Sequence, residues 1–523
     1  MPARPHTPAL MVLGTASHVG KSLITAAFCR LLAEEGVRVA PFKAQNMALN
    51  SYVTLSGGEI GRAQVAQAEA AGIEPETDMN PILLKPMGGV SQVIVDGVPI
   101  GVMSAREYYA EKDRLWPRVT AAYDRLASRF EAIVLEGAGS PVEINLMEQD
   151  LTNLRIGRYA NASLILVADI ERGGVFAHII GTWELLPPSD RSRVVGFIIN
   201  KFRGDASLLD SGLVYLRERT GVPVLGVLPF RPDLQIDQED SLGIEETASA
   251  TDCELGPDDL DVAIARLPGL SNFTDFASLS RLPGVRVRYV ERGRDLGRPD
   301  LIILPGTKTT VRDLLWLGEV GLADRMTALA NDPSGPLVLG ICGGFQMLGI
   351  RIDDPQGVES SDVSVPGLGL LDVTTRFDRE KARHRVSGIV IADGSAISGY
   401  EIHMGQTERG PDLQAFSTLI RSRDSSRIND GAVSADARVM GTYLHGLWDS
   451  LSYGSAMIAR LRLRRGLPPQ AAARWKAHRD ATSDRYAALA MMLRQHVDLK
   501  PVWTSMGIGA SGPMSRGESR GAD

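Results

Sequence analysis

At 523 residues with 44% hydrophobic content, the chain is too long for one hydrophobic core and apolar enough to build two. Its formal charge of -7 lacks the basic excess of a nucleic-acid binder, so nucleic acid is not an expected partner. Cys29, Cys253 and Cys342 lie far apart and form neither a disulfide framework nor a metal-binding CxxC pair, which points to a reducing compartment, the cytoplasm. No apolar run approaches the ~20 residues of a membrane span, and the amino terminus lacks the apolar stretch and cleavage site of a signal peptide.

From residue 9 to residue 230, short apolar runs alternate with helical patterns, the signature of a parallel sheet covered by helices. The first run, Ala9 to Leu13, leads into Gly14-Thr15-Ala16-Ser17-His18-Val19-Gly20-Lys21-Ser22, where a helical pattern begins. Strand before and helix after is the setting of a phosphate-binding loop, whose backbone amides cradle phosphates. Gly14, Thr15 and Gly20 shape the loop, Lys21 brings positive charge to the β and γ phosphates, and the Ser22 hydroxyl is a ligand for Mg²⁺. Thr15 departs from the usual pattern, in which a glycine stands there. Over Ser22 to Glu35, Leu23, Ile24, Ala27, Phe28, Leu31 and Leu32 form an apolar stripe, with Cys29 packed beside it.

The run Val37 to Ala40 precedes Lys43-Ala44-Gln45-Asn46-Met47, and Lys43 is placed to neutralise charge on a transferred phosphoryl group. Runs at Ala132 to Leu135, Leu164 to Ala168, Val194 to Ile199 and Val224 to Val227 complete the sheet, their unbroken apolarity predicting burial on both faces. Three of them end in polar residues at the carboxyl edge, where such sheets bind ligands. Glu136 is read as a second Mg²⁺ ligand; Asp169 is equally a ligand or a turn residue. Asn200 either reads a nucleotide base through its paired donor and acceptor or closes a strand-end turn.

The first domain thus spans 1–232. Residues 233–258 are rich in acidic side chains without Lys or Arg, and read as a linker. Apolar runs at Val262 to Ala265, Val285 to Tyr289, Leu301 to Leu304 and Leu337 to Gly340, then β-rich sequence to Leu444, predict a second α/β domain over 259–450. In the last of those runs, Gly340-Ile341-Cys342-Gly343-Gly344 reads as strand, tight turn and helix with cysteine at the apex, a nucleophile elbow with sulfur in place of oxygen. The glycines permit a strained turn and close substrate approach, and the helix amino terminus favours a thiolate. Amides at Gly343 and near Gly306 are candidate oxyanion donors. His445, in Gly441-Thr442-Tyr443-Leu444-His445-Gly446-Leu447, is the candidate base; His403 is assigned to structure or substrate binding. Within 451–523, helices are expected at 451–465 and 469–496, split by Gly466-Leu467-Pro468-Pro469, and the last twenty or so residues read as disordered.

The cysteine elbow and downstream histidine resemble the triad-type glutamine amidotransferases, whose thiolate attacks the glutamine side-chain amide and releases ammonia. Those enzymes usually carry a carboxylate two residues after the histidine; here Leu447 stands there, as in the cobyric and cobyrinic branch, and the third member is open. The amino-terminal loop resembles that of dethiobiotin synthetase and the partition ATPases. In this order the two halves resemble the cobyric acid synthase family over residues 9 to 450, on Lys43-Ala44-Gln45-Asn46-Met47, Glu136-Gly137-Ala138-Gly139-Ser140-Pro141, the segment from Ala168 to Ala177, Ser271-Asn272-Phe273-Thr274-Asp275-Phe276 and Gly399-Tyr400-Glu401-Ile402-His403-Met404-Gly405.

The resemblance implies an α/β protein with an N-terminal P-loop parallel-sheet domain of the dethiobiotin-synthetase kind and a C-terminal triad-type amidotransferase domain. ATP, Mg²⁺ and glutamine would serve it, with a cobalt-carrying corrinoid as substrate. The implied reaction amidates the b, d, e and g carboxylates of adenosylcobyrinic acid a,c-diamide through acyl phosphates, with ammonia following a sheltered route between the domains. Lys85, Arg155, Arg158 and Arg172 are candidate contacts for corrinoid carboxylates. The alternatives are a cobyrinic acid a,c-diamide synthase and a partition-type regulatory ATPase with a non-catalytic amidotransferase domain.

Overall fold

The computed structural model describes residues 7–234, 256–360, 362–468 and 485–508, so most of the acidic segment 233–258 lies outside the described residues. In the N-terminal half, strands Val39–Phe42, Ala132–Glu136, Ala9–Gly14, Ser163–Asp169, Val194–Phe202 and Val224–Pro229 lie side by side in that order, all parallel. Every residue of Ala9–Gly14 and Ala132–Glu136 is buried. Strand alternation explains why both faces are apolar: Met11 and Leu13 enter one core, Leu10 and Val12 the other. Parallel register brings the phosphate loop, Glu136, Asp169 and Asn200 to one edge.

A four-stranded sheet of Gln45–Met47, Ile82–Met87, Val90–Val95 and Val98–Ser104 flanks this unit. It was not expected from the sequence; Ile82–Met87, Val90–Val95 and Val98–Ser104 follow one another through tight turns at Gly88-Gly89 and Asp96-Gly97.

The second half holds a six-stranded sheet ordered Val285–Val290, Leu260–Ala265, Leu301–Leu304, Leu337–Ile341, Val439–Thr442 and Ala432–Val433, parallel except for its last strand. A separate, mainly antiparallel sheet is built on the long strands Val373–Val390 and Ala396–Arg409, and Tyr400 of the second pairs with His445.

The carboxyl-terminal segments divide between the halves. Helix Leu451–Arg464 buries Met457, Ile458 and Leu461 in the C-terminal core. Residues 485–496 are helical, and with helix Lys500–Met506 they return to the N-terminal sheet, where Leu489, Leu493, Val502 and Met506 share a core with Ile24 and Phe28. Trp503 meets Phe28 edge-on at 6.4 Å, and the Asp498 amide donates to the Leu225 carbonyl at 2.7 Å. Disorder of the last twenty residues therefore does not hold for Thr504 to Met506: Val502 and Met506 give the segment an apolar side to bury, which the Gly- and Ser-rich average conceals. Residues 509–523 lie outside the described residues.

The halves meet across buried charge. Glu59, fully buried, accepts from Lys85 Nζ at 2.8 Å and from Lys381 Nζ of the C-terminal half at 2.7 Å. Burial alone would raise the Glu59 carboxyl, but the two ammonium groups hold it far below the ordinary range. Removing this carboxylate strands two buried cations, so Glu59→Ala is expected to cost about 3–5 kcal/mol of stability, read as a lowered thermal unfolding midpoint.

Candidate active sites

Gly20 caps the helix Lys21–Glu34 at φ 101, a conformation that favours glycine, and a β-carbon there would collide with the Asn200 side chain. That close approach is how Asn200 enters the site. Its Nδ2 donates to the Val19 carbonyl at 2.9 Å, bracing the loop from beneath, so its amide donor is engaged by the protein. The Thr15 amide donates to the Val167 carbonyl at 2.9 Å and belongs to the sheet, not to a phosphate cradle. Lys21 Nζ lies over the loop, 2.8 Å from the Ala16 carbonyl and 3.0 Å from that of Gly139, with Gly14 directly behind it.

Glu136 is the hub of this edge. Its Oε1 accepts from Ser22 Oγ at 2.8 Å and Lys43 Nζ at 2.9 Å, and its Oε2 accepts from Gln67 Nε2 at 2.5 Å. Burial would raise this carboxyl, yet Lys43, Gln67 and Ser22 hold it below the usual range. The hydroxyl and carboxylate oxygens form a hard-oxygen pair that suits Mg²⁺. Sequence reasoning paired Ser22 with Glu136; it did not find Gln67, whose helical position carries no motif. Asp169 is tied to Lys201 at 2.9 Å and to the Glu171 amide at 2.7 Å, the turn role among its two readings.

In the C-terminal half, Leu337–Ile341 runs into Cys342, whose φ of 53° and ψ of −113° make it a strained apex before helix Gly343–Met347. A β-carbon on Gly344 would collide with the Leu304 carbonyl, so the turn closes only with glycine. His445 faces the thiol: a β-carbon placed on Gly306 would stand 3.0 Å from His445 Cε1 and 3.6 Å from Cys342 Cβ. His445 Nε2 has no hydrogen-bond partner among the described residues, the thiol pointing to the Ile402 carbonyl at 3.5 Å, and the His445 ring stacks on Tyr400 at 5.3 Å.

The third member is Asp275. Its Oδ2 lies 2.6 Å from His445 Nδ1, and its Oδ1 accepts from the Gly446 amide at 3.0 Å. Burial opposes a charged imidazole here, but Asp275 and then Cys342 outweigh it, pushing His445 up to about 10. The geometry is cysteine, imidazole and orienting carboxylate. Leu447, which occupies the usual carboxylate position, is instead part of the core. Asp275→Asn preserves shape but removes the charge that fixes the ring, and glutamine hydrolysis is expected to fall on the order of 10²–10⁴-fold in kcat, measured as glutamate release.

His403 is neutral, driven down to about 3 by burial; it stacks on Tyr443 at 3.6 Å and hydrogen-bonds the Gly405 carbonyl. It is a wall of the cleft above Cys342. Lys85 lines that same cleft, bound to Glu59 at 2.8 Å, so its charge has a buried partner that the chain order conceals. Arg158 is likewise held by Asp190, and Arg155 by Asp113 and the Trp116 ring.

Residues 10–242 match the CobQ/CobB/MinD/ParA nucleotide binding domain family, and residues 261–452 the CobB/CobQ-like glutamine amidotransferase domain family. A cobyric acid synthase of Sorangium cellulosum is 50% identical over 88% of this chain and 91% of its own length. Those of Syntrophobacter fumaroxidans and Nostoc punctiforme are 45% and 47% identical, over 95% and 94% of this chain and 98% and 99% of their own. The chain belongs to the cobyric acid synthase family. It is accordingly an amidotransferase-type ligase of cobalamin biosynthesis, with a nucleotide-binding half and a glutaminase-type half. Among the described residues no helix is long and apolar enough to cross a membrane.

Proposed function

We propose that this chain amidates the b, d, e and g carboxylates of adenosylcobyrinic acid a,c-diamide, using one ATP and one glutamine for each. The observation that carries the reading is the Cys342–His445–Asp275 arrangement joined, in one chain, to a phosphate loop whose Ser22 hydroxyl stands 2.8 Å from Glu136 on the neighbouring strand. Cys342 attacks the glutamine amide carbon while the Gly343 and Thr307 amides hold the oxyanion; a β-carbon on Gly343 would lie 3.2 Å from Thr307 N. His445 then protonates the amide nitrogen as its bond to the carbonyl carbon breaks, so that neutral ammonia leaves, and water hydrolyses the γ-glutamyl thioester on Cys342 to glutamate. In the other half, Gly14, Gly20 and Lys21 hold the nucleotide phosphates, with Thr15 and Asn200 as supports of the loop. Ser22 and Glu136 would hold Mg²⁺, which would neutralise phosphate charge when bound. The substrate carboxylate attacks the γ phosphate, Lys21 and Lys43 offset the growing negative charge, and ammonia displaces phosphate from the acyl phosphate.

Mass spectrometry of the corrinoid after incubation with ATP, Mg²⁺ and glutamine tests this. Four successive conversions of carboxylate to carboxamide are expected; two conversions on unamidated cobyrinic acid would assign the chain to the a,c-diamide reaction instead. The cleft over Cys342 borders Lys85 of the N-terminal half, which supports a covered passage for ammonia. With amide-¹⁵N glutamine and excess unlabelled ammonium near neutral pH, the product is expected to carry ¹⁵N; mostly unlabelled product would refute a sheltered route.

A further inference from the structure

The cleft over Cys342 carries charge that thiol chemistry does not use. Its walls include the ammonium groups of Lys85, Lys308 and Lys381 and the carboxylate of Glu359. One carboxylate, Glu59, serves both Lys85 and Lys381, while Lys308 Nζ hydrogen-bonds the neutral Gln92 Oε1 at 2.9 Å and has Glu59 and Glu359 only as more distant opposite charges. Across from them, Glu359 Oε2 accepts from the Thr310 amide at 2.6 Å, and its Oε1 is only 3.5 Å from the Thr310 hydroxyl. Both signs of charge are therefore held out of water beside the nucleophile with incomplete compensation. Burial accordingly lifts Glu359 to about 7 and lowers Lys308 to about 8 and Lys381 to about 7.

A ligand with an anionic and a cationic end supplies what both walls lack, and the α-carbon of an amino acid carries that pair. We propose that Lys308 and Lys381 bind the α-carboxylate, and Glu359 the α-ammonium, of the amino-acid amide whose side-chain carbonyl reaches Cys342. This assignment rests on Cys342 acting as the glutaminase nucleophile. The subsite spans the domain boundary: Glu59 and Gln92, both from the N-terminal half, set the positions of Lys381 and Lys308. Glutamine recognition is thus completed by the half that activates the carboxylate, and a displaced N-terminal half loosens the donor's head group before it affects the thiol.

The test compares hydrolysis of L-glutamine with that of its α-carboxamide, which lacks the negative end, and of glutaramate, which lacks the positive end. In the intact enzyme each truncation is expected to lower kcat/KM about 10- to 100-fold, the size of a charged hydrogen bond. In Lys381→Met the penalty for the α-carboxamide should shrink toward unity while that for glutaramate persists; Glu359→Gln should show the reverse. Lys308→Gln, which leaves the Glu59 pairings intact, provides the same readout if Lys381→Met fails to fold, as judged by its thermal midpoint. Undiminished discrimination in every folded variant would overturn the subsite. An intact enzyme that hydrolyses none of the three amides would instead overturn the nucleophile itself.

Discussion

Replacing Cys342 with alanine is expected to eliminate glutamine-dependent amidation while synthesis driven by added ammonia continues. The sulfur is the only group at the apex of the turn able to bond covalently to the amide carbon, with His445 facing it and the oxyanion amides beside it. Without the thiolate, the imidazole and amides retain an orienting role but have no acyl-enzyme to form, and loss of a catalytic nucleophile costs on the order of 10⁶-fold in kcat in comparable triads. The carboxylate-activating edge lies in the other half and contacts none of these atoms, so acyl phosphate formation proceeds and free ammonia can take the place of the released one. The measurement is corrinoid product formed with glutamine and, in parallel, with ammonium at mildly alkaline pH, where more of it is neutral. Product from glutamine in the alanine variant would rule out Cys342 as the nucleophile. Loss of both activities would mean that the thiol also supports the domain junction.

What was legible in the sequence was what depends on neighbours along the chain. A strand that turns directly into a helix needs glycines and a particular order of residues, so the loop around Lys21 and the elbow at Cys342 announce themselves. Glu136 was legible because parallel strands deliver their carboxyl ends to a common edge. Asp275 was not, because a carboxylate has only to reach Nδ1, and it does so from the short helical turn Phe273–Phe276, 170 residues before His445. The sole signal was a charged residue between two phenylalanines in a segment already matched to the family, and the habit of looking two residues past the histidine led instead to a core leucine. The surroundings of Lys85 were hidden for the related reason that they are made by Glu59 and Lys381, the latter from the other half of the chain. The closing of Leu489, Val502 and Met506 onto the first helix was hidden likewise, since an apolar stripe of a few residues is lost in a polar average.

Lys21→Ala is expected to abolish synthesis from glutamine and from ammonia alike, by at least about 10³-fold. The loop side chain projects over backbone carbonyls, Ala16 at 2.8 Å and Gly139 at 3.0 Å, a position from which an ammonium turns to phosphate oxygens when a nucleotide enters. Lys43 offsets part of the same charge, but it is paired with Glu136 at 2.9 Å and leaves the place over the loop empty. Charge that builds on the transferred phosphoryl group would then lack its nearest cation, and the acyl phosphate on which either nitrogen source depends would not form. Basal glutamine hydrolysis should persist, since Cys342, His445 and Asp275 lie in the other half. That pattern distinguishes failed activation from failed nitrogen release, and it is the complement of the Cys342 result: one variant hydrolyses glutamine without amidating, the other amidates without hydrolysing. Ammonia-driven synthesis in the Lys21 variant would place carboxylate activation somewhere other than this loop.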